Sequence, residues 1–275
     1  MLLENGIMAV SRRHALAYHE RVAALQFAKV IRADDDEGDT DIEIGPDDIQ
    51  NGIALVNITG PMVSFYAPKN PWITSTTRLT SVINMLARDP SCKGLVIHVD
   101  SGGGMLSGSD DLYRAIRDFG KPTAAMVQCA CSAAYYAIAG ADKIYAAPLA
   151  EVGSLGTYCV LADTTKMLEQ DGVKLTLVSS GPLKGAGADG SITEPLVSME
   201  QRLIDVATDQ FKSDVVAGRG AAVGEMFTGG VWFAKEAEAR PLCELGTMQD
   251  CLRHVAELAS AREQFSAVLA RTSGR

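Results

Sequence analysis

Apolar positions along this chain switch between two rhythms. Ile53 to Ile58 is a short, β-branched run closed by Thr59-Gly60-Pro61, which predicts a strand and a turn. Leu79, Val82, Ile83 and Leu86 then recur at helical spacing until Asp89-Pro90 stops them. Gly94 to Val99 predicts a second buried strand, which runs into Asp100-Ser101-Gly102-Gly103-Gly104. Leu112, Ile116 and Phe119 mark another helix, ended by Gly120-Lys121-Pro122. Further strands are predicted over 123–128, 143–146 and 173–178, the last from its alternation. Pro195, in a first helical turn, introduces Ile204, Ala207, Phe211 and Val215 on one face, and a final helix runs from about Met248 to Leu269. Short strands alternating with helices predict an α/β fold with a mostly parallel sheet.

The N-terminal texture differs. Residues 8–31 lack Gly and Pro, with Ser11 as an N-cap, and predict a helix or arm over 1–33. Asp34 to Asp48 holds nine acidic residues and no basic one, so 34–51 reads as a solvated acidic linker. The folded domain is expected over 52–250, with a C-terminal helix and tail over 251–275.

That acidic run accounts for the whole net charge of −9 and leaves the remainder balanced. No basic stripe exists for nucleic acid. With 275 residues and 47% hydrophobic content, the chain can bury a large core. The six cysteines show no Cys-x-x-Cys pairing, which reads as a reduced, intracellular chain with buried thiols. Charged residues interrupt the first 31 positions, so no signal-peptide core is read there. Ala124 to Ala141 is uncharged but rich in Ala, Ser, Cys and Gly, which favours a buried strand and helix over a membrane span. The chain is therefore expected to be soluble and cytoplasmic.

Two residues carry candidate chemistry. Ser132 lies in Cys129-Ala130-Cys131-Ser132-Ala133-Ala134-Tyr135-Tyr136, a small-residue run opening a helix. Lys184 lies in the turn-rich Ser179-Ser180-Gly181-Pro182-Leu183-Lys184-Gly185. A serine hydroxyl needs a base to become a nucleophile. His14, His19 and His254 read as surface residues and His98 as a satisfied strand histidine, so none fits a triad. A lysine can serve if it is neutral, which requires burial away from carboxylates, and 179–188 contains no acid. Taken alone, such a lysine is more often a surface residue. Gly103 and Gly104 could begin a dinucleotide site, but the third fingerprint glycine is missing. They can instead aim backbone N–H groups at an oxyanion.

These motifs resemble the signal peptide peptidase A family of serine peptidases, of the crotonase/Clp protease superfamily, and within it the lambda-type phage capsid maturation proteases. Asp100 to Gly104 is similar to the family's Asp-Ser-Pro-Gly-Gly, with Gly102 in place of proline. Ser132-Ala133-Ala134-Tyr135 is similar to its nucleophile segment, and Ala141-Asp142-Lys143-Ile144 and Val152-Gly153-Ser154-Leu155-Gly156 to its next two signatures. The separation of Lys184 from Ser132 agrees. Pro241-Leu242-Cys243-Glu244 departs from the usual Gly-Leu-Val-Asp.

The resemblance implies a crotonase/Clp protease-like spiral of βα units and a Ser132/Lys184 dyad. Gly103 and Ala133 would hold the oxyanion, with Ser154 and Gly104 in support. It implies a protein or peptide substrate, a homo-oligomer, and no cofactor or metal. Neither the membrane anchor of bacterial signal-peptide enzymes nor the scaffold extension of some phage relatives is expected. Capsid or scaffold processing is the leading reading. The rivals are a host signal-peptide-degrading peptidase, an acyl-CoA hydratase or isomerase of the same superfamily, and an inactive assembly protein.

Overall fold

The computed structural model describes residues 8–10, 48–65, 72–237 and 242–273. Its strands are β1 (Met8–Val10), β2 (Asp48–Gln50), β3 (Ile53–Thr59), β4 (Met62–Val63), β5 (Thr74–Ser75), β6 (Gly94–Ser101), β7 (Gly103–Met105), β8 (Thr123–Cys131), β9 (Lys143–Gly153), β10 (Val231–Phe233) and β11 (Glu244–Leu245). Its helices are α1 (Thr76–Arg88), α2 (Ser109–Arg117), α3 (Ala133–Ile138), α4 (Thr165–Gln170), α5 (Glu194–Arg219), α6 (Ala234–Ala237) and α7 (Met248–Ser273).

The main sheet runs β10-β9-β8-β6-β3-β2. Its four long strands, β3, β6, β8 and β9, are mutually parallel. β2 and β10 cap the two edges antiparallel, and β11 adds to β9 in parallel. This is the α/β fold with a mostly parallel sheet that the periodicity predicts. Both faces of the central strands are covered, which explains why β6 and β8 read as continuous apolar runs rather than alternating ones. A smaller sheet, β1-β7-β4-β5, stands beside the strand ends.

Each predicted helix forms where its apolar stripe finds a surface. α1 buries Leu79, Val82, Ile83 and Leu86, each burial stabilising by roughly 2 kcal/mol. Ser75 caps its N-terminus by accepting from the Arg78 N–H, and Asp89 ends it. The uncharged stretch 124–141 becomes β8 and α3, buried along nearly its whole length. Among the described residues no helix is long and apolar enough to cross a membrane.

Two predictions are corrected. Residues 173–178 form no strand; they are irregular and exposed. The free edge of β9, where such a strand would pair, is already taken by β10 at Glu151–Gly153 and by β11 at Tyr145–Ala146. Residues 8–10 form a strand on β7 rather than the start of a helix. The rest of the arm and most of the acidic linker lie outside the described residues, as do His14 and His19.

An aromatic cluster locks α3 against α5. Tyr136 stacks on Phe211 at 4.4 Å and lies 5.6 Å from Tyr113. The Tyr136 hydroxyl donates to the Asp214 carboxylate at 2.5 Å, and that of Tyr113 to the Asp214 carbonyl at 2.8 Å. Tyr135 turns the other way and donates to the Leu242 carbonyl at 2.8 Å. Adjacent tyrosines thus tie α3 to two remote segments, and burial raises both phenols above their ordinary range.

Candidate active site

Parallel pairing brings the sequence-predicted groups to one end of the sheet. Ser101 on β6 pairs with Ala130 on β8, and Cys131 on β8 with Gly153 on β9. Ser132 and Ser154 therefore leave adjacent strands at the carboxyl ends, where open α/β sheets bind ligands. Register shifts at Gln128 bend β8 just before this point. Such bulges re-aim the residues that follow them.

Ser132 sits between β8 and α3 at φ +56°, ψ −120°. These angles belong to the first central position of a type II′ turn and suit glycine, so a serine there is strained by about 1–3 kcal/mol. The backbone holds it in place: its N–H donates to the Gly153 carbonyl at 2.8 Å, and its carbonyl accepts from the Tyr136 N–H at 2.9 Å. The side chain is almost fully buried, yet its Oγ reaches only the Gly156 carbonyl, at 3.4 Å. That length is weak for an O–H donor. A buried hydroxyl with so loose a partner is poised for a better acceptor.

The oxyanion candidates are close in the fold. Gly103, at φ +96°, opens β7, and α3 packs against that strand. Its N–H donates to Ser101 Oγ at 3.1 Å, while Ser101 Oγ donates to the Gly60 carbonyl at 2.6 Å. Ser101 thus holds the glycine turn in shape, a role the sequence reading did not assign; nothing in the residue type signals it. Gly104 has a different reason to be glycine. A β-carbon there would lie 2.1 Å from the Met62 carbonyl oxygen, so it permits the close approach of β4 and β7. Ala133 is buried at the first position of α3, where an N–H has no acceptor within the helix.

Ser154 repeats the strained geometry at φ +52°, with its N–H donating to the Gly230 carbonyl at 2.6 Å. Lys184 lies in the exposed, turn-rich segment over 180–190. Its N–H donates to the Gly181 carbonyl at 3.2 Å, and its carbonyl accepts from Ser179 Oγ. Its ammonium makes no hydrogen bond or ion pair among the described residues. The burial expected of a lysine base is not present within this one chain.

The surroundings of the cysteines disfavour a thiolate nucleophile. Cys131 is held far above the ordinary thiol range, first by its contact with Cys129 and then by burial. Five cysteines are buried and Cys159 is partly so, all as free thiols. His98 shares a contact with Asn57 Oδ1 at 3.2 Å, as a satisfied strand histidine would. His254 is half-buried beside Tyr145, not on the surface as expected. Among the described residues no cluster of His, Cys, Asp and Glu could hold a metal ion.

Comparison with known proteins adds family relationships. The family model for peptidase family S49 matches residues 115–262. Capsid assembly protease C of Escherichia phage lambda is 28% identical over 182 residues, covering 64% of this chain and 41% of that protein. Protease 4 of Salmonella typhi is 26% identical over 226 residues, covering 79% and 36%. A putative protease of Synechocystis is 29% identical over 177 residues, covering 60% and 62%. The chain thus spans under half the length of the first two. Among solved structures, an enoyl-CoA hydratase/isomerase family protein from Silicibacter pomeroyi is 19% identical with a TM-score of 0.46, covering 78% of this chain and 79% of that one.

Proposed function

Since the chain belongs to peptidase family S49, we propose that it is a serine endopeptidase with Ser132 as nucleophile and Lys184 as base. The observation that carries this reading is the strained, buried serine at the start of α3, beside a glycine turn and a helix-opening amide. Strain of this kind persists where the surroundings over-determine it, and the tyrosine anchors of α3 supply that determination.

In this mechanism neutral Lys184 removes the Ser132 Oγ proton as the oxygen attacks the peptide carbonyl. The N–H groups of Gly103 and Ala133 stabilise the oxyanion, and Gly103 exchanges its Ser101 partner for it. Collapse expels the amine, which takes the proton from the Lys184 ammonium and leaves an acyl-enzyme. Water, deprotonated by Lys184, then attacks the acyl carbonyl; Ser132 Oγ leaves and recovers the proton from the Lys184 ammonium, and the acid is released. Ser154 helps orient the amine.

A lysine acts this way only when removed from water. Val173, Leu175, Leu177, Val178 and Leu183 surround Lys184 in sequence and are all exposed, Val178 to 92%. We take a second copy of this chain as their cover, making the active form a homo-oligomer. The peptidase domain expected over 52–250 also takes in β2, from the end of the expected linker, and α7, which packs Cys251 and Val255 against Val96 and Ala124. The setting is the cytoplasm of a bacterial or phage-infected cell, and the substrate a capsid or scaffold protein.

Fluorophosphonate labelling, with Ser132→Ala and Lys184→Ala variants, tests the dyad. Labelling confined to Ser132, and peptide hydrolysis lost in both variants, supports it. Unchanged hydrolysis in either rejects it.

A further inference from the structure

The second sheet places a segment of the chain where a peptide would be expected to bind. β7 carries Gly103 and presents two edges. One meets β4 through Met62 opposite Gly104. The other is covered by β1, antiparallel, with Met8 opposite Met105, Ala9 opposite Gly104 and Val10 opposite Gly103. β1 is remote in sequence, joined to β2 through residues 11–47, and among the described residues β7 is its only partner strand. A short extended segment laid antiparallel on an exposed strand edge is the geometry of peptide recognition by strand addition.

Direction and position add to this. β1 runs from Met105 towards Gly103, so its carboxyl end arrives at the residue that the dyad mechanism uses to hold the oxyanion. A substrate strand laid along this edge would be led to Gly103 in the same way, and β1 occupies it. Strand edges that are left open recruit other strands, so without β1 this edge would be open to another strand.

We propose that Met8–Val10 is a tethered, substrate-like occupant of the β7 edge, which an incoming peptide must displace. The occupant also indicates what the edge accepts: an extended segment running antiparallel to β7. Because the tether keeps β1 at a high local concentration, its effect is competitive. The proposal rests on the peptidase reading, but part of its test does not.

The full-length chain and its Ala9→Pro variant are compared, since proline removes a strand N–H and fits an interior strand position poorly. Hydrogen exchange in the 103–105 segment is expected to be slow in the wild type and about tenfold faster in the variant. Peptide hydrolysis by the variant is expected to show KM lowered severalfold with kcat unchanged. A synthetic peptide of residues 6–13 is expected to inhibit it competitively. Val10→Pro serves as the second variant should Ala9→Pro fold poorly. Equal exchange at 103–105 in wild type and variant overturns the proposal, whatever the activity. Faster exchange without fluorophosphonate labelling of Ser132 in any form would retain the occupant and reject the peptidase reading.

Discussion

Ser132 keeps a β-carbon where the backbone favours glycine, and the cost of that arrangement can be measured apart from the chemistry. Ser132→Ala removes the hydroxyl but retains the strain, whereas Ser132→Gly removes both. Both variants are expected to lose hydrolysis by about 10³-fold or more. The glycine variant should be the more stable of the two by about 1 kcal/mol, a melting difference of about 2–4 °C by calorimetry. Equal melting would mean that Ser132 stores no strain. At the same scale, a lysine base predicts a rate that climbs from acid to alkaline pH as the amine gives up its proton. A pH–rate profile of kcat/KM peaking near pH 5 would rule that base out.

Element stability is clearest at the start of α7. Thr247 and Asp250 form a reciprocal cap: the Thr247 N–H and hydroxyl donate to Asp250 Oδ2 at 2.8 and 2.7 Å, and the Asp250 N–H donates to Thr247 Oγ1 at 3.3 Å. The Thr247 hydroxyl, foremost, holds the Asp250 carboxyl below its ordinary range. The folded chain therefore binds that proton more weakly than the unfolded chain. The cap's contribution is complete above the ordinary value of about 4 and is lost as pH falls through the lower folded value. Thr247→Ala should cost about 1 kcal/mol at neutral pH, and Asp250→Asn should flatten the acid limb of a stability–pH curve measured by urea denaturation. The Thr247–Asp250 cap was seen only in the structure, whereas the four parallel strands could be found in the sequence because they depend on local pattern. β10 and β11 could not, since strands of three and two residues leave no period to detect. Alternation alone made 173–178 look like a further strand, and the edge of β9 that it would have joined is held by these two short strands. The site divides the same way: motifs pointed to Ser132 and the glycine turn, whereas the Ser101 bridge and the bulge at Gln128 arise only from tertiary pairing.

At the scale of the whole molecule, the exposed apolar residues form a pattern rather than a scatter. α5 carries the stripe read from its sequence, but only Leu196, Phe211 and Val215 are buried on it. Ile204 and Ala207 remain half-exposed, and Leu203 and Val206 are exposed alongside. Residues 173–178 are exposed too, and the turns around Lys184 lie near both: a β-carbon on Gly185 would meet Leu177, and one on Gly187 would meet Leu196 of α5. An amphipathic helix and an apolar segment that both lack a covering surface among the described residues fit the second copy proposed above, since exposed apolar patches mark interfaces. A second copy would bury the segment and draw Lys184 out of water, so assembly and activity should rise together. Val178→Asp, at the most exposed of these positions, is expected to shift the mass seen by light scattering towards the monomer and to lower kcat/KM at least tenfold while the fold is kept. Activity per chain should also fall on dilution of the wild type but stay low and concentration-independent in the variant. A fully active monomer would break the link between assembly and the lysine, and would require the single chain to bury Lys184 by moving the 180–190 turns alone.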